Sequence, residues 1–122
     1  MAYVIPTNAP IVPGHLLVLP KRHVQYYEEL HAEEKNAIEE LRVWAKEKLQ
    51  KVFQAEGFNY AWNEEEIGGQ SVPHFHLHVV PRKEGDAGVL TYEPREFLYR
   101  PRTRAKSPDE ELEGVARELR EG

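Results

Sequence analysis

Between Ala32 and Ala55 the apolar residues fall at helical spacing. Ile38, Leu41, Ala45, Leu49 and Val52 recur three or four positions apart, with Glu and Lys on the other side. At about 1.5 Å per residue this helix would be on the order of 35 Å long, a large element for a chain of 122 residues. An apolar stripe of that length has to be covered, so the rest of the chain must supply a matching surface. The other apolar runs are short and bounded by proline or glycine, which reads as strands. Val4 to Ile11, punctuated by Pro6 and Pro10, predicts an edge strand or extended arm. Pro13-Gly14 marks a turn. His15 to Leu19 predicts a strand stopped by Pro20. Gly57 occupies a helix C-cap position, and the aromatic-rich Phe58 to Trp62 predicts a third strand. Glu64 to Pro73 reads as a loop, and His74 to Val80 as a strand ended by Pro81. Near the C-terminus, Ser107, Pro108 and Glu110 form a helix start, followed by the stripe Leu112, Val115, Ala116 and Leu119. The order predicts a single α+β domain on an antiparallel sheet.

Charge and composition narrow the function. The net charge is −5, whereas a protein that wraps duplex nucleic acid carries a basic footprint, so nucleic acid is not expected as a partner. The chain has no cysteine, which removes thiol catalysis, disulfides and cysteine-ligated zinc. No apolar run reaches the roughly 18 residues of a membrane span, and Met1 to Pro10 lacks the basic start of a signal peptide. A cytoplasmic location with no membrane partner is expected.

Three of the six histidines stand within five positions, as His74-Phe75-His76-Leu77-His78. On a strand, side chains at i, i+2 and i+4 share one face, about 6.5–7 Å apart per step. Phe75, Leu77 and Val79 would then face the core. Imidazole titrates near neutral pH, and neighbouring rings disfavour one another's charged forms, which preserves an unprotonated nucleophile. A neutral imidazole nitrogen can attack phosphorus. Spacing alone allows a second use equally well: His-x-His can place two nitrogens on one zinc, with a third completing a three-histidine site. The preceding residues favour the first use. In Gly68-Gly69-Gln70-Ser71-Val72-Pro73 small residues let backbone amides approach an anion, and Gln70 and Ser71 can donate to phosphate oxygens.

At these residues the chain resembles the histidine-triad (HIT) nucleotide hydrolases and transferases. His74 to Val80 matches the triad, and Pro13-Gly14-His15-Leu16-Leu17-Val18-Leu19-Pro20-Lys21-Arg22-His23 is similar to the family's early strand, which maps a fourth active-site histidine onto His15. Asn63 matches an active-site asparagine. Pro81-Arg82-Lys83-x-Gly85-Asp86 resembles the strand exit of the fragile-histidine-triad branch, which cleaves dinucleoside polyphosphates. The resemblance covers residues 4–86, with weaker agreement in the tail.

The resemblance implies a HIT-like fold, an antiparallel sheet of about five strands with one long helix and a C-terminal helix. Residues 1–86 would carry the core motifs and 87–122 an extended basic tail with the last helix. It implies that His76 attacks the α-phosphorus of a dinucleoside polyphosphate, such as diadenosine tetra- or triphosphate, to form a nucleotidyl-histidine, with His74, His78 and His15 orienting it and sharing its proton. Gln70, Ser71 and Asn63 would contact substrate, and Ile5, Thr7 and Asn8 would meet base and ribose. No protein-bound metal or cofactor is implied, apart from a divalent cation associated with substrate phosphates. Glu64-Glu65-Glu66 departs from the family, where a glycine and small residues are more usual; it reads as a solvated charge run that would repel a polyphosphate unless a divalent cation bridged them. A homodimer through the long helix and sheet edge is implied, with Trp44 a candidate interface residue. Arg95, Arg100, Arg102, Arg104 and Lys106 could grip distal phosphates. Alternatives are a dinucleoside polyphosphate phosphorylase, a nucleoside phosphoramidate hydrolase, a nucleotide-binding module without turnover and, more distantly, a three-histidine zinc enzyme. His23 and His31 read as surface residues. Family members usually carry a further N-terminal segment before the arm, and this sequence starts almost at the arm.

Overall fold

A computed structural model describes residues 1–8, 10–70, 72–86, 116–117 and 119–120. Four strands and one long helix carry the architecture: β1 Ala2–Pro6, β2 Leu16–Pro20, α1 Ala32–Phe53, β3 Gly57–Ala61 and β4 Leu77–Arg82. The strands form one antiparallel sheet in the order β1-β2-β4-β3. This is the α+β class expected, with four strands among the described residues where about five were anticipated.

Register explains how the sheet separates core from site. Leu16 pairs with Val79 and Val18 with Leu77. These four residues are buried with Ile38, Ala45 and Leu49 of α1 in one cluster that also holds Phe75 and Leu119. Their alternation partners Leu17, Leu19, His78 and Val80 therefore take the opposite face. The helix stripe predicted from spacing is the one that packs, with Leu41 and Val52 at its margin. Residues 116–117 and 119–120 are helical, and Leu119 packs as its stripe predicts. The capping residues Ser107, Pro108 and Glu110 lie outside the described residues.

Besides one-residue shifts in β2 and β3, four boundaries differ from expectation. The first strand ends at Pro6, not Ile11, and residues 10–14 form the turn into β2. Helix α1 ends on Gln54, which takes the left-handed conformation at φ 55°; Gly57 is the first residue of β3 instead of the cap. The last strand continues through Pro81 to Arg82. Pairing of β4 with β2 stops at Val79, so beyond it one side of β4 is an edge, where a missing N–H is tolerated. Most consequential, β4 begins at Leu77 rather than His74. Before Leu77 the backbone leaves the ladder: Phe75 N–H donates to the Val24 carbonyl and His74 N–H to the Val72 carbonyl.

A buried carboxylate fixes the start of α1. Glu34 accepts Nε and Nη2 of Arg22 at 3.0 and 2.7 Å and the backbone N–H of His31 at 2.8 Å. Arg22's hydrogen bonds above all, then the His31 N–H, hold this carboxyl at about 2 instead of its ordinary 4.5. Its folded-state value is depressed, so its contribution is present above pH 4.5 and disappears as pH falls towards 2. Acid unfolding of Glu34→Gln, followed by circular dichroism, should therefore show a smaller loss of stability between pH 4.5 and 2 than the parent shows. Equal losses would mean that the ion pair does not control that window.

Candidate active site

The departure of residues 74–76 from the ladder divides the histidines into two groups. One is a chain. The rings of His76 and His78 meet edge-on with centroids 4.9 Å apart, and His78 Nδ1 lies 2.9 Å from Nε2 of His15. His15 Nδ1 in turn accepts the backbone N–H of Ile11 at 3.1 Å. The other group is His74 with His23, whose rings lie 5.3 Å apart. His74 Nε2 donates to the Pro20 carbonyl at 3.0 Å. The expected single row of three imidazoles is thus corrected, because only His78 belongs to a strand. His23 is a residue that sequence reasoning left on the surface. It is exposed, yet it stands against a triad ring; the signal available was its position directly after the His15 strand.

His76 has one further constraint. Its Nδ1 lies 2.8 Å from the backbone oxygen of His74. A carbonyl oxygen only accepts, so Nδ1 carries the proton, and in the neutral ring the basic lone pair belongs to Nε2. The short Pro-His-Phe-His bend places the carbonyl, which an ideal strand would have sent into a ladder.

His74 and His76 border a cleft of about 330 Å³. Its other walls are Ile5 and Pro6 at the end of β1, Thr7 and Asn8 beyond it, Leu17 and Leu19 of β2, and Val72. The three residues expected to meet base and ribose, Ile5, Thr7 and Asn8, are therefore brought together with two triad histidines. An apolar wall with a few convergent polar groups is the usual form of a small-molecule site. Thr7 is buried, and its N–H donates to the His15 carbonyl, which ties this wall to the histidine chain.

The loop before the triad sits differently from expectation. Gln70 is 6 % exposed and is not among the cleft's lining residues. Its side-chain oxygen accepts from Gln25 Nε2 and from the Glu65 N–H, both at 3.2 Å, and its amide donates to the Gln25 carbonyl at 3.4 Å. Asn63 likewise donates to the Gly69 carbonyl at 3.4 Å. Both residues brace the loop. Ser71 lies outside the described residues, as do Arg95, Arg100, Arg102, Arg104 and Lys106. Of the three acidic residues, Glu65 has its carboxylate bound by the Tyr26 hydroxyl. Among the described residues no three His, Asp or Glu side chains are arranged to share a metal ion, and no helix is long and apolar enough to cross a membrane.

The strand-exit motif has a structural role. Arg82 holds Asp86 through two hydrogen bonds at 3.1 and 3.2 Å and Asn59 of β3 through a third at 2.9 Å. Burial alone would raise the Asp86 carboxyl; the Arg82 and Lys83 N–H bonds outweigh it and keep it below its usual value. Trp62 is exposed and stacks on Tyr27 at 4.9 Å, with Lys35 over Tyr27.

Four histidines gathered at a helix-backed antiparallel sheet, two of them bordering a cleft of about 330 Å³, define the class. The HIT domain family model matches residues 1–85, and the chain belongs to that family. It is 39 % identical over 79 residues to an uncharacterised HIT-like protein of Mycoplasma genitalium, covering 65 % of this chain and 56 % of that one. It is 36 % identical over 77 residues to the asymmetrical bis(5′-nucleosyl)-tetraphosphatase of Schizosaccharomyces pombe, covering 63 % and 42 %. It is 35 % identical over 92 residues to the AP-4-A phosphorylase of Mycobacterium tuberculosis, covering 75 % and 47 %. The chain spans about half the length of these relatives. A crystal structure of a Hit-like protein from Bartonella henselae superposes with a TM-score of 0.80 at 26 % identity, covering 98 % of this chain and 79 % of that one.

Proposed function

We propose that this protein is a nucleotidyl hydrolase or transferase that cleaves dinucleoside polyphosphates at the α-phosphate through a nucleotidyl-His76 intermediate. The observation that carries this reading is the hydrogen bond from His76 Nδ1 to the His74 carbonyl, in a ring that borders the cleft. It fixes Nε2 as the basic nitrogen without a separate base. Nε2 gives its lone pair to the α-phosphorus, and the bond to the bridging oxygen breaks with its electron pair leaving on the departing nucleotide. The proton stays on Nδ1 and keeps its hydrogen bond to the His74 carbonyl, so the positive charge of the nucleotidylated ring faces an acceptor. Water then attacks phosphorus and loses its proton to solvent or a neighbouring histidine. The N–P bond breaks, and the neutral ring returns.

His74 and His78 orient His76 and contact phosphate, His15 acts through His78, and Ile5 and Leu17 receive the base, with Thr7 and Asn8 near the ribose. Ser71, next to the cleft residue Val72, supplies a hydroxyl to a phosphate oxygen. Asn63 and Gln70 reach substrate only if the loop releases the partners that brace it. The reaction needs no resident cofactor, and any divalent cation arrives on the substrate's phosphates. The protein acts in the cytoplasm as a homodimer. Val43 and Trp44 of α1 and Tyr60 of edge strand β3 are exposed, which suits a second copy packing there.

The test is incubation with a panel of dinucleoside polyphosphates and a nucleoside phosphoramidate, with mass detection of products and of protein adducts. Release of a nucleoside monophosphate and an acid-labile adduct on the peptide carrying His76 are expected. Turnover without any adduct at His76 would overturn the mechanism. The similarity to a phosphorylase favours a second reading, in which inorganic phosphate replaces water; diadenosine tetraphosphate would then yield ADP and ATP.

A further inference from the structure

We infer that the main-chain N–H of Ile11 sets the tautomers of His15 and His78, and so fixes which nitrogen of His78 carries its proton. A neutral imidazole has one N–H and one lone pair. The Ile11 N–H can only donate, and it lies 3.1 Å from His15 Nδ1, so Nδ1 must hold the lone pair and Nε2 the proton. That Nε2 lies 2.9 Å from His78 Nδ1, which must accept. Neutral His78 then carries its proton on Nε2. One backbone amide thus determines the polarity of a ring two hydrogen bonds away. His15 is 2 % exposed, so bulk water does not compete for this arrangement.

The turn that presents the amide is built to hold it still. Pro10 and Pro13 flank Ile11 and restrict the backbone torsions around it. His15 N–H donates to the Val12 carbonyl at 3.2 Å, and the His15 carbonyl accepts from Thr7 N–H at 3.2 Å. Gly14, at φ +90°, packs against Leu49, Phe53 and Pro81.

The consequence appears beside His76. An acceptor, the His74 carbonyl, places the lone pair of His76 on Nε2. A donor, the Ile11 amide, places the proton of His78 on Nε2. The two rings touch at 4.9 Å but present opposite polarity at the same atom. A lone pair suits attack on phosphorus, and an N–H suits a phosphate oxygen, which a second lone pair would repel. Ile11 is therefore a positioning residue acting through His15. Its kinetic consequence rests on the reading of His76 as nucleophile; the tautomer assignment does not.

Two-bond proton–nitrogen correlation spectra of the intact protein, labelled with ¹⁵N-histidine at neutral pH, test the assignment without substrate. Pyridine-type shifts are expected for Nδ1 of His15 and His78, and pyrrole-type shifts for their Nε2; His76 should show the reverse. A protonated Nδ1 on neutral His15 or His78 would overturn the inference. The second arm replaces Ile11 by its α-hydroxy acid, which exchanges this N–H for an ester oxygen. The His15 and His78 tautomers should then mix, and kcat should fall roughly tenfold or more with KM changed much less. Unchanged tautomers in the ester protein would also overturn it. If the ester protein does not fold, the parent spectra decide alone; if no substrate turns over, the spectra still decide.

Discussion

Replacing His76 by alanine should lower kcat by about 10³-fold or more, the scale on which loss of a covalent nucleophile acts. Stability should fall only modestly: the ring is buried but lies outside the apolar cluster, and its hydrogen bond to the His74 carbonyl is worth about 1 kcal/mol net. The loss should fall on kcat rather than KM, since the cleft walls Ile5, Thr7, Asn8, Leu17 and Leu19 remain. Steady-state kinetics on diadenosine tetraphosphate, with calorimetric binding of a non-cleaved analogue, separates the two. His76→Gly adds a second arm: imidazole in solution should restore part of the turnover, because the cleft then holds space for the missing ring. A variant that retains a tenth or more of parental kcat would rule out His76 as nucleophile. Binding without turnover in the parent protein would favour the alternative of a nucleotide-binding module.

Much of this site was legible because chemistry and spacing coincide in a few short segments. The alternation of Phe75, Leu77 and Val79 predicts a buried face, and all three are buried. The helix stripe from Ile38 to Leu49 needed only its period. The bend at His74–His76 was not legible, because it depends on Val24, fifty residues earlier in the chain, accepting the Phe75 N–H. A strand pattern says which face a residue takes, not where its partner strand runs out; β2 ends its pairing with β4 at Val18↔Leu77, and the ladder ends with it. The same long-range dependence hid His23, which meets His74 only because the chain after β2 passes the triad. For Gln70 the sequence shows only its donors and acceptor, and nothing local shows that Gln25 and the Glu65 amide bind its side chain. The helix end is not legible locally, because glycine is the usual left-handed residue, whereas here Gln54 takes that conformation, three residues before Gly57.

Gly14→Ala should destabilise the protein by about 2–5 kcal/mol, through two effects that add. The first is conformational. At φ +90° a β-carbon costs about 1–2 kcal/mol that glycine does not incur. The second is steric. A β-carbon would stand 3.1 Å from Leu49 Cδ2, 3.2 Å from Pro81 Cγ and 3.3 Å from Phe53 Cδ2, tighter than ordinary van der Waals contact on three sides. Leu49 is fully buried, and Pro81 is a ring held in β4, so neither moves away freely; overpacking of this kind costs about 1–3 kcal/mol. Urea unfolding of the two proteins measures the sum, and a difference below about 0.5 kcal/mol would mean that the turn is not closed against α1 as described. The variant also tests how far the fold reaches into the site. Gly14 directly precedes His15, and its neighbours lie on α1 and β4, so any relaxation of the clash must move the turn that presents the Ile11 amide. Where the protein remains folded at low temperature, the histidine spectra should show the His15–His78 hydrogen bond perturbed while the His76–His74 carbonyl bond, anchored on a different segment, persists. Separation of the two signals is the expected result because the two backbone groups that polarise the neighbouring rings belong to parts of the chain that the sheet, and not the sequence, brings together.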